Sequence, residues 1–269
     1  MSLFPPFLSS LIDPKIALPR LQAAGIHLAV SATVALVLIL LITEVWYPSR
    51  LFELAKGRDI FLLLICCDIT LGPALTLVVF NIKKPRKELA RDVAVIATVQ
   101  MGAMIYGVST LLQARPAYIV YNVGQFNIPL ANELVSDVSS GPDHSTVVPS
   151  APWTGPKLVG SELPADREEN NNLIFSSVFG QGDVYQIPRY FVPYDKVRQE
   201  VIAHGLLPSE FAKRFHFAAA DIESATLSYR QKQLDFRVLP LRVRTTIAIA
   251  VVDAKSGDLL GIEQIPSSF

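Results

Sequence analysis

Hydrophobic residues are concentrated in the first 113 positions of the chain, where they form three long stretches. These stretches cover residues 25–46, 60–80 and 93–112, and none of similar length follows. A helix rises about 1.5 Å per residue, so each stretch can cross the hydrocarbon core of a bilayer, which is about 30 Å thick. The pattern predicts a membrane protein with three transmembrane helices in residues 25–113, followed by a domain formed by residues 114–269.

The loop between the second and third stretches predicts how the chain is oriented in the membrane. Its five basic residues are Lys83, Lys84, Arg86, Lys87 and Arg91. Short loops rich in Lys and Arg remain in the cytoplasm. We therefore expect residues 1–24 to be cytoplasmic and residues 114–269 to lie on the outer side of the membrane, which in a bacterium is the periplasm. The first stretch is interpreted as a retained span, because no small-x-small cleavage site follows it.

The end of the first stretch carries two aromatic residues followed by a proline. Trp46 and Tyr47 are the residue types found at membrane–water interfaces, and Pro48 cannot continue the helix. The sequence therefore predicts that both rings belong to the interfacial aromatic belt.

Composition argues against several classes of function. The 24 basic and 24 acidic residues give a net charge of zero, so no nucleic-acid partner is expected. The adjacent Cys66 and Cys67 lie in the second stretch and are interpreted as small apolar residues. His144, His204 and His216 are scattered, and no hydrolase or nucleotide-binding motif is present. We expect no catalytic residues, no metal and no cofactor.

Asp68 lies near the middle of the second stretch, where an aspartate costs about 2.5–3.5 kcal/mol on insertion scales. It therefore needs a partner or a polar environment. His27, Gln100 and Tyr106 are the candidates within the anchor. Gln100 matches the depth of Asp68 better than His27, which is near the cytoplasmic end of the first stretch.

Other residues near Asp68 favour close packing of helices. Pro73 removes a backbone hydrogen bond and should kink the helix, while Thr70 and Gly72 can accommodate the freed groups. Ala103 and Gly107 form a small-xxx-small pair in the third stretch. Two interpretations remain open: packing within one three-helix bundle, or a groove that accepts a transmembrane helix of another protein.

The remainder of the chain predicts an α+β domain with a mainly antiparallel sheet. Strands are expected at residues 117–128 and 173–179, and a hairpin at 241–253 and 258–265 with Gly257 in its turn. Helices are expected from Asp195 to before Gly205, over Pro208–Phe215 and over 218–233, with a short one beginning in 129–138. Residues 186–194 should be extended, and 139–172, which contain five prolines, receive no secondary structure.

Several motifs in the anchor resemble one known family. They are Trp46-Tyr47-Pro48, residues 68–76, Lys83, Asp92, Gln100, Tyr106-Gly107 and Arg115-Pro116. They are similar to the type IV pilin accessory proteins of the TfpX/TfpZ type, which are FimB-like. The resemblance is strongest over residues 20–126 and continues at 188–190, 193–194, 239–241 and Gly257. Residues 137–172 carry no pattern shared with the family.

The resemblance implies an inner-membrane chaperone, not an enzyme, that supports the stability or assembly of a type IV pilin. Its expected partners are the transmembrane helix and periplasmic head of the pilin, membrane lipid and other pilus assembly components. The hypothetical partner-binding residues are Asp68, Thr70, Gly72, Pro73, Gln100, Ala103, Tyr106 and Gly107. The alternative is a membrane-anchored periplasmic sensor, or a subunit of another envelope complex, that binds a small ligand or a cell-wall component.

Overall fold

The computed structural model describes residues 14–48, 50–81, 83–135, 151–179 and 182–266. The chain divides into two compact units. The anchor unit consists of Met1–Ile42 and Arg58–Leu111, and the soluble unit of Thr43–Gly57 and Leu112–Phe269. Residues 136–138 of the predicted helix at 129–138, and residues 139–150 of the proline-rich stretch, lie outside the described residues.

Three long helices dominate the first part of the chain. They are α1 (Pro14–Leu41, continued by a π-helical turn at Ile42–Trp46), α3 (Gly57–Val79) and α4 (Arg86–Gln113), with the short α2 (Leu51–Leu54) after the first. Ala17–Trp46, Gly57–Val79 and Arg86–Gln113 are long and apolar enough to cross a membrane, and we name them spans one, two and three. The prediction of three membrane-crossing helices is confirmed.

The helices of spans one and three begin before the apolar stretches that predicted them. Span three starts with a polar segment, and Lys84, which precedes the helix, pairs with Asp92 of this segment at 2.6 Å. Span two remains helical through Pro73. The kink at this proline therefore stays a prediction.

The soluble unit is built on one seven-stranded sheet. Its strands are β1 (Tyr118–Asn122), β2 (Gln125–Asn127), β3 (Lys157–Ser161), β4 (Phe191–Pro193), β5 (Phe236–Val243), β6 (Thr246–Asp253) and β7 (Leu259–Gln264). The strand order is β4-β3-β1-β2-β5-β6-β7. β1/β3 and β2/β5 pair in parallel, whereas the other four pairs are antiparallel. A mixed sheet with mainly antiparallel pairing agrees with the predicted fold class.

Helices and 3-10 turns accompany this sheet. The helices are α5 (Arg167–Val178), α6 (Tyr194–His204), α7 (Pro208–Phe215), α8 (Ala219–Ala225) and α9 (Leu227–Gln231), and the 3-10 turns are Ala131–Glu133, Val184–Gln186 and Pro188–Tyr190. The predictions for α6, α7 and the helical region at 218–233 are confirmed. On α6 the predicted inner face is buried, with Tyr194, Val197 and Val201 no more than 7% exposed.

The prediction of a single strand at residues 117–128 is wrong, because the chain reverses there. β1 and β2 form a hairpin in which Tyr121 lies opposite Phe126. The two turn residues, Val123 and Gly124, both have positive φ, at 43° and 80°. Glycine tolerates this conformation, but a β-branched residue rarely adopts it. Because position 123 is a valine, the turn could not be predicted from the sequence. In the same way, the strand expected at 241–253 is two strands, separated by a turn at Arg244 with φ 52°.

Two further predictions between β2 and β4 are wrong. Residues 173–179 were expected to be a strand but belong mostly to α5, which starts where the Asp166 carboxylate accepts the Glu168 N–H at 2.8 Å. Residues 139–172 were expected to lack secondary structure, yet they contain β3 and the start of α5. β3 is defined by its pairing with β1, which is distant in sequence.

The final hairpin is confirmed, with Gly257 in its turn at φ 70°. The Tyr194 hydroxyl donates to the Gly257 carbonyl at 2.6 Å, which fixes this turn against α6. On the other side of the sheet's C-terminal half, a core is formed by residues of α7, α8, β5 and β6. Its largest members are Phe211, Ile222, Phe236 and Ile249.

The connection between spans one and two is part of the soluble unit. Leu51 and Leu54 are 1% and 2% exposed, and Arg50 forms a 2.8 Å ion pair with Glu263 of β7. Trp46 and Tyr47 are 8% and 0% exposed, so the prediction that they form an interfacial belt is wrong. This connection and the C-terminal domain therefore belong to one compact unit.

Candidate functional site

A polar contact joins spans two and three in the anchor unit. The Gln100 side-chain amide donates to a carboxylate oxygen of Asp68 at 2.9 Å and to the Asp68 carbonyl at 3.3 Å. This agrees with the expectation that Gln100 is the better partner for Asp68. Tyr106, the other candidate on span three, is 75% exposed. Since Asp68 is half-buried and bonded, its insertion cost is offset within the bundle.

All three spans meet at Gly72. A Cβ atom on this residue would lie 2.1 Å from Gln100 Nε2 and 2.9 Å from His27 Nε2. His27 itself shares a 2.7 Å hydrogen bond between Nδ1 and the Thr76 hydroxyl. The absence of a side chain at position 72 therefore lets polar groups from spans one and three approach span two.

We name His27, Asp68, Thr76 and Gln100, arranged around Gly72, the polar cluster. Asp68, Gly72 and Thr76 are four residues apart, which places them on one face of span two. Sequence reasoning missed Thr76, although this spacing was the available signal. It also considered His27 only as a partner of Asp68, whereas the imidazole bonds Thr76.

Gly107 also forms a helix–helix contact within the anchor unit. It is buried, and a Cβ atom there would lie 2.7 Å from a methyl carbon of Leu64 on span two. Ala103, one turn earlier, is exposed. The two members of this small-xxx-small pair thus have different surroundings, because Gly107 packs against span two and Ala103 is exposed.

The opposite side of span three presents small residues outward. Ala94, Thr98 and Gly102 are exposed and four residues apart, and Tyr106 follows at the same spacing. A Cβ atom on Gly102 would meet nothing within 4 Å. The Thr98 hydroxyl donates to the Ala94 carbonyl at 2.8 Å, so its hydrogen bond is made within the helix. We call these four residues the outward stripe.

The other hypothetical partner-binding residues divide between the two environments. Thr70 is exposed on span two, whereas Pro73 is half-buried. An apolar groove of about 350 Å³ lies beside the polar cluster. Its lining residues are Ala23, Ile26, His27, Val30, Thr76, Phe80 and Val93. Arg20 is 5% exposed and donates to the Phe80 carbonyl at 2.7 Å, near one end of this groove.

The soluble unit contains an open pocket of about 460 Å³ between α5 and the turn Pro188–Tyr190. It is lined by Asp166, Glu168, Glu169, Asn172, Leu173, Arg189 and Tyr190. Glu169 accepts from the Arg189 guanidinium at 2.8 Å and from the Tyr190 hydroxyl at 2.9 Å. The carboxylate of Glu169 is therefore engaged by the protein's own donors.

The histidines that the structure describes in the soluble unit have structural surroundings. His204 Nδ1 lies 2.7 Å from the hydroxyl of Tyr121, and burial raises the pKa of that tyrosine to about 12. His216 ends α7 in a left-handed conformation. His144 lies outside the described residues. Among those that are described, no three His, Cys, Asp or Glu side chains are placed to hold a metal ion.

The polar cluster leads to a first prediction. Asp68→Ala removes the acceptor of Gln100 and should weaken the association of spans two and three by about 1 kcal/mol, the usual scale for such bonds between membrane helices. The measurement is SDS-induced unfolding of the purified full-length protein. Asp68→Asn retains an acceptor and should weaken the association of the two spans less. Thr70→Ala, an exposed position on the same span, is the control, and an equal loss there would contradict the prediction.

Together, the three spans and the sheet define a membrane-anchored protein with one α/β domain. The family described as fimbrial assembly protein FimB matches residues 17–55. The chain is 28% identical over 224 residues to the fimbrial assembly protein of Dichelobacter nodosus serogroup E1, covering 82% of this chain and 85% of that protein. The corresponding serogroup I protein is 28% identical over 180 residues, which are 67% of this chain and 69% of the relative.

A third relative, the fimbrial assembly protein of Dichelobacter nodosus serogroups C1 and C2, is 33% identical over 116 residues. This match covers 43% of the chain and 88% of the relative. The chain therefore belongs to the FimB family of fimbrial assembly proteins. No solved structure matches it.

Proposed function

We propose that this protein is an inner-membrane accessory protein that binds a type IV pilin and supports its assembly into pili. The observation that carries the proposal is the match to fimbrial assembly proteins, which extends over 85% of one relative. The architecture supports it as well. Three apolar helices anchor the chain, and a separate α/β domain offers a surface outside the bilayer.

A pilin subunit before assembly presents the same two environments, since it has one hydrophobic helix in the membrane and a head outside it. A dedicated helper therefore needs a helix-binding surface and a head-binding surface. In our proposal the spans bind the pilin helix, and the soluble unit contacts the head in the periplasm. The basic segment at residues 83–91, which joins spans two and three, supports this orientation, because short connections rich in Lys and Arg remain cytoplasmic.

We assign the helix-binding surface to the outward stripe of span three. Small residues let two membrane helices approach closely enough for continuous van der Waals contact, which is the main attraction between helices in lipid. Exposed Gly102 leaves room for such an approach. Thr70 and Ala103 are exposed as well and remain part of the proposed partner-binding set.

The polar cluster has a supporting role in this proposal. Asp68 and Gln100 form a hydrogen bond with each other, and Gly72 and Gly107 pack against neighbouring spans. These contacts hold span three against span two through one face and leave the opposite face available for pilin. The revised assignment separates residues that build the anchor from residues that would bind its partner.

Gly102→Leu tests the proposed surface. The larger side chain fits without a clash inside the protein, yet it should block close helix approach and reduce the recovered pilin about fivefold or more, which corresponds to about 1 kcal/mol. The measurement is co-purification of pilin with the tagged full-length protein from membranes that express both.

Two other glycines provide matched controls for this experiment. A Cβ atom on Gly25 of span one also meets nothing within 4 Å, so Gly25→Leu should leave pilin recovery unchanged. Gly107→Leu should instead lower the level of the accessory protein itself, since it collides with Leu64. Normal pilin recovery with Gly102→Leu would exclude the outward stripe, and no pilin recovered with the unsubstituted protein would reject the proposed function.

A further inference from the structure

Trp153 is a large aromatic residue that the soluble unit leaves 70% exposed. Its ring centre lies 5.7 Å from the guanidinium carbon of Arg115. Arg115 is 7% exposed, and its guanidinium donates to the carbonyls of Pro152 and Ala151, each at 3.1 Å, and to the carbonyl of Leu112. Arg115 therefore holds the backbone on the N-terminal side of Trp153 against the last turn of span three.

The position of Leu112 along span three tells where this contact lies relative to the bilayer. The apolar stretch at 93–112 is about 30 Å long as a helix, which matches the hydrocarbon thickness. Leu112 is its last residue and Arg115 follows within one turn. A side chain that packs on Arg115 is consequently close to the level at which the chain leaves the hydrocarbon.

Contacts at the end of span one independently place residues 151–155 near the level at which the chain leaves the hydrocarbon. A Cβ atom on Gly155 would lie 3.4 Å from the carbonyl oxygen of Val45 and 3.8 Å from Cγ of Pro48. Val45 is in the π-helical turn that ends span one. Residues 151–155 therefore lie against the end of span one and are joined to the end of span three through Arg115. Both helix ends belong to the soluble unit.

We propose that Trp153 inserts into the headgroup region of the bilayer and fixes residues 151–155 to the membrane surface. A tryptophan ring combines an apolar body with one N–H donor, which favours the membrane–water interface. Trp46 and Tyr47, the aromatic residues at the end of span one, are buried and cannot take this role. Arg115 is buried, and its Nε, Nη1 and Nη2 atoms each donate to a carbonyl, so the exposed ring of Trp153 provides the contact with lipid.

The chain's two tryptophans allow a direct test, because one is exposed and the other is buried. The full-length protein is reconstituted in vesicles that contain phosphatidylcholine brominated either high on the acyl chains or near their ends. In W46F, the emission of Trp153 should fall about twofold with the shallow bromines, less with the deep ones, and little with aqueous iodide. In W153F, the remaining Trp46 should respond weakly to all three quenchers.

Should W46F fail to fold, the difference in emission between the unsubstituted protein and W153F supplies the same signal. Strong quenching of Trp153 by iodide, with no response to brominated lipid, would overturn the proposal. Protection from iodide that appears only when pilin is co-reconstituted would also overturn it, since the ring would then contact protein instead of lipid.

Discussion

Arg115→Leu is expected to lower the free energy of unfolding of the soluble unit by about 3 kcal/mol. The substitution removes the shared donor of three carbonyl groups, those of Leu112, Ala151 and Pro152. Charged donors contribute about 1.5–3 kcal/mol per hydrogen bond, and a buried carbonyl without a donor adds a desolvation cost. The measurement is proteolysis of the full-length protein in detergent micelles across a series of urea concentrations.

Two variants separate this effect from a simple loss of charge. Arg115→Lys keeps the charge but cannot donate in three directions from a planar group, so an intermediate loss is expected. Arg50→Leu removes an arginine whose side chain is 56% exposed and pairs with Glu263, and it should cost less than about 1 kcal/mol. Equal losses for Arg115→Leu and Arg50→Leu would show that the carbonyl contacts contribute little.

The second large effect is expected in the core of the soluble unit. Phe211→Ala should lower the free energy of unfolding by about 3–5 kcal/mol, because it removes a fully buried ring and leaves a cavity. The ring of Phe211 packs with those of Phe215 and Phe217, whose centres are 4.7 and 6.1 Å away. The same urea and protease measurement applies.

Phe215→Ala is the matched control for Phe211→Ala. It is the same substitution on the same helix, but Phe215 is 37% exposed, so water can occupy part of the vacated space. We expect a loss of less than about 2 kcal/mol. Similar losses at the two positions would mean that the core at α7 is not packed as the structure describes.

Local patterns in the sequence were sufficient for many elements of the fold. The length of the apolar stretches predicts the spans, and the spacing of Tyr194, Val197 and Val201 predicts the buried face of α6. Proline at its first position predicts α7, and Gly257 predicts the last turn. Each of these signals lies within a few residues of the structure that it specifies.

Features that depend on contacts between residues distant in sequence could not be predicted from local patterns. Trp46 and Tyr47 look like interfacial residues until the connection that follows them packs into the soluble unit. Thr76 acquires its partner from span one, and Trp153 reaches the ends of spans one and three through Arg115 and Gly155. Gln100 was predictable as the partner of Asp68, because matching depth across two helices can be counted along the chain.

The order of strands in the sheet has a consequence for biosynthesis. β2 lies at the centre and pairs with β5, so Phe126 stays without its neighbour Leu241 until the ribosome has made most of the chain. Translation that stops before Phe236 would yield a polypeptide already inserted in the membrane, with one side of the β1–β2 hairpin open. Open strand edges attract other chains, so such truncated products should aggregate or be removed by envelope proteases.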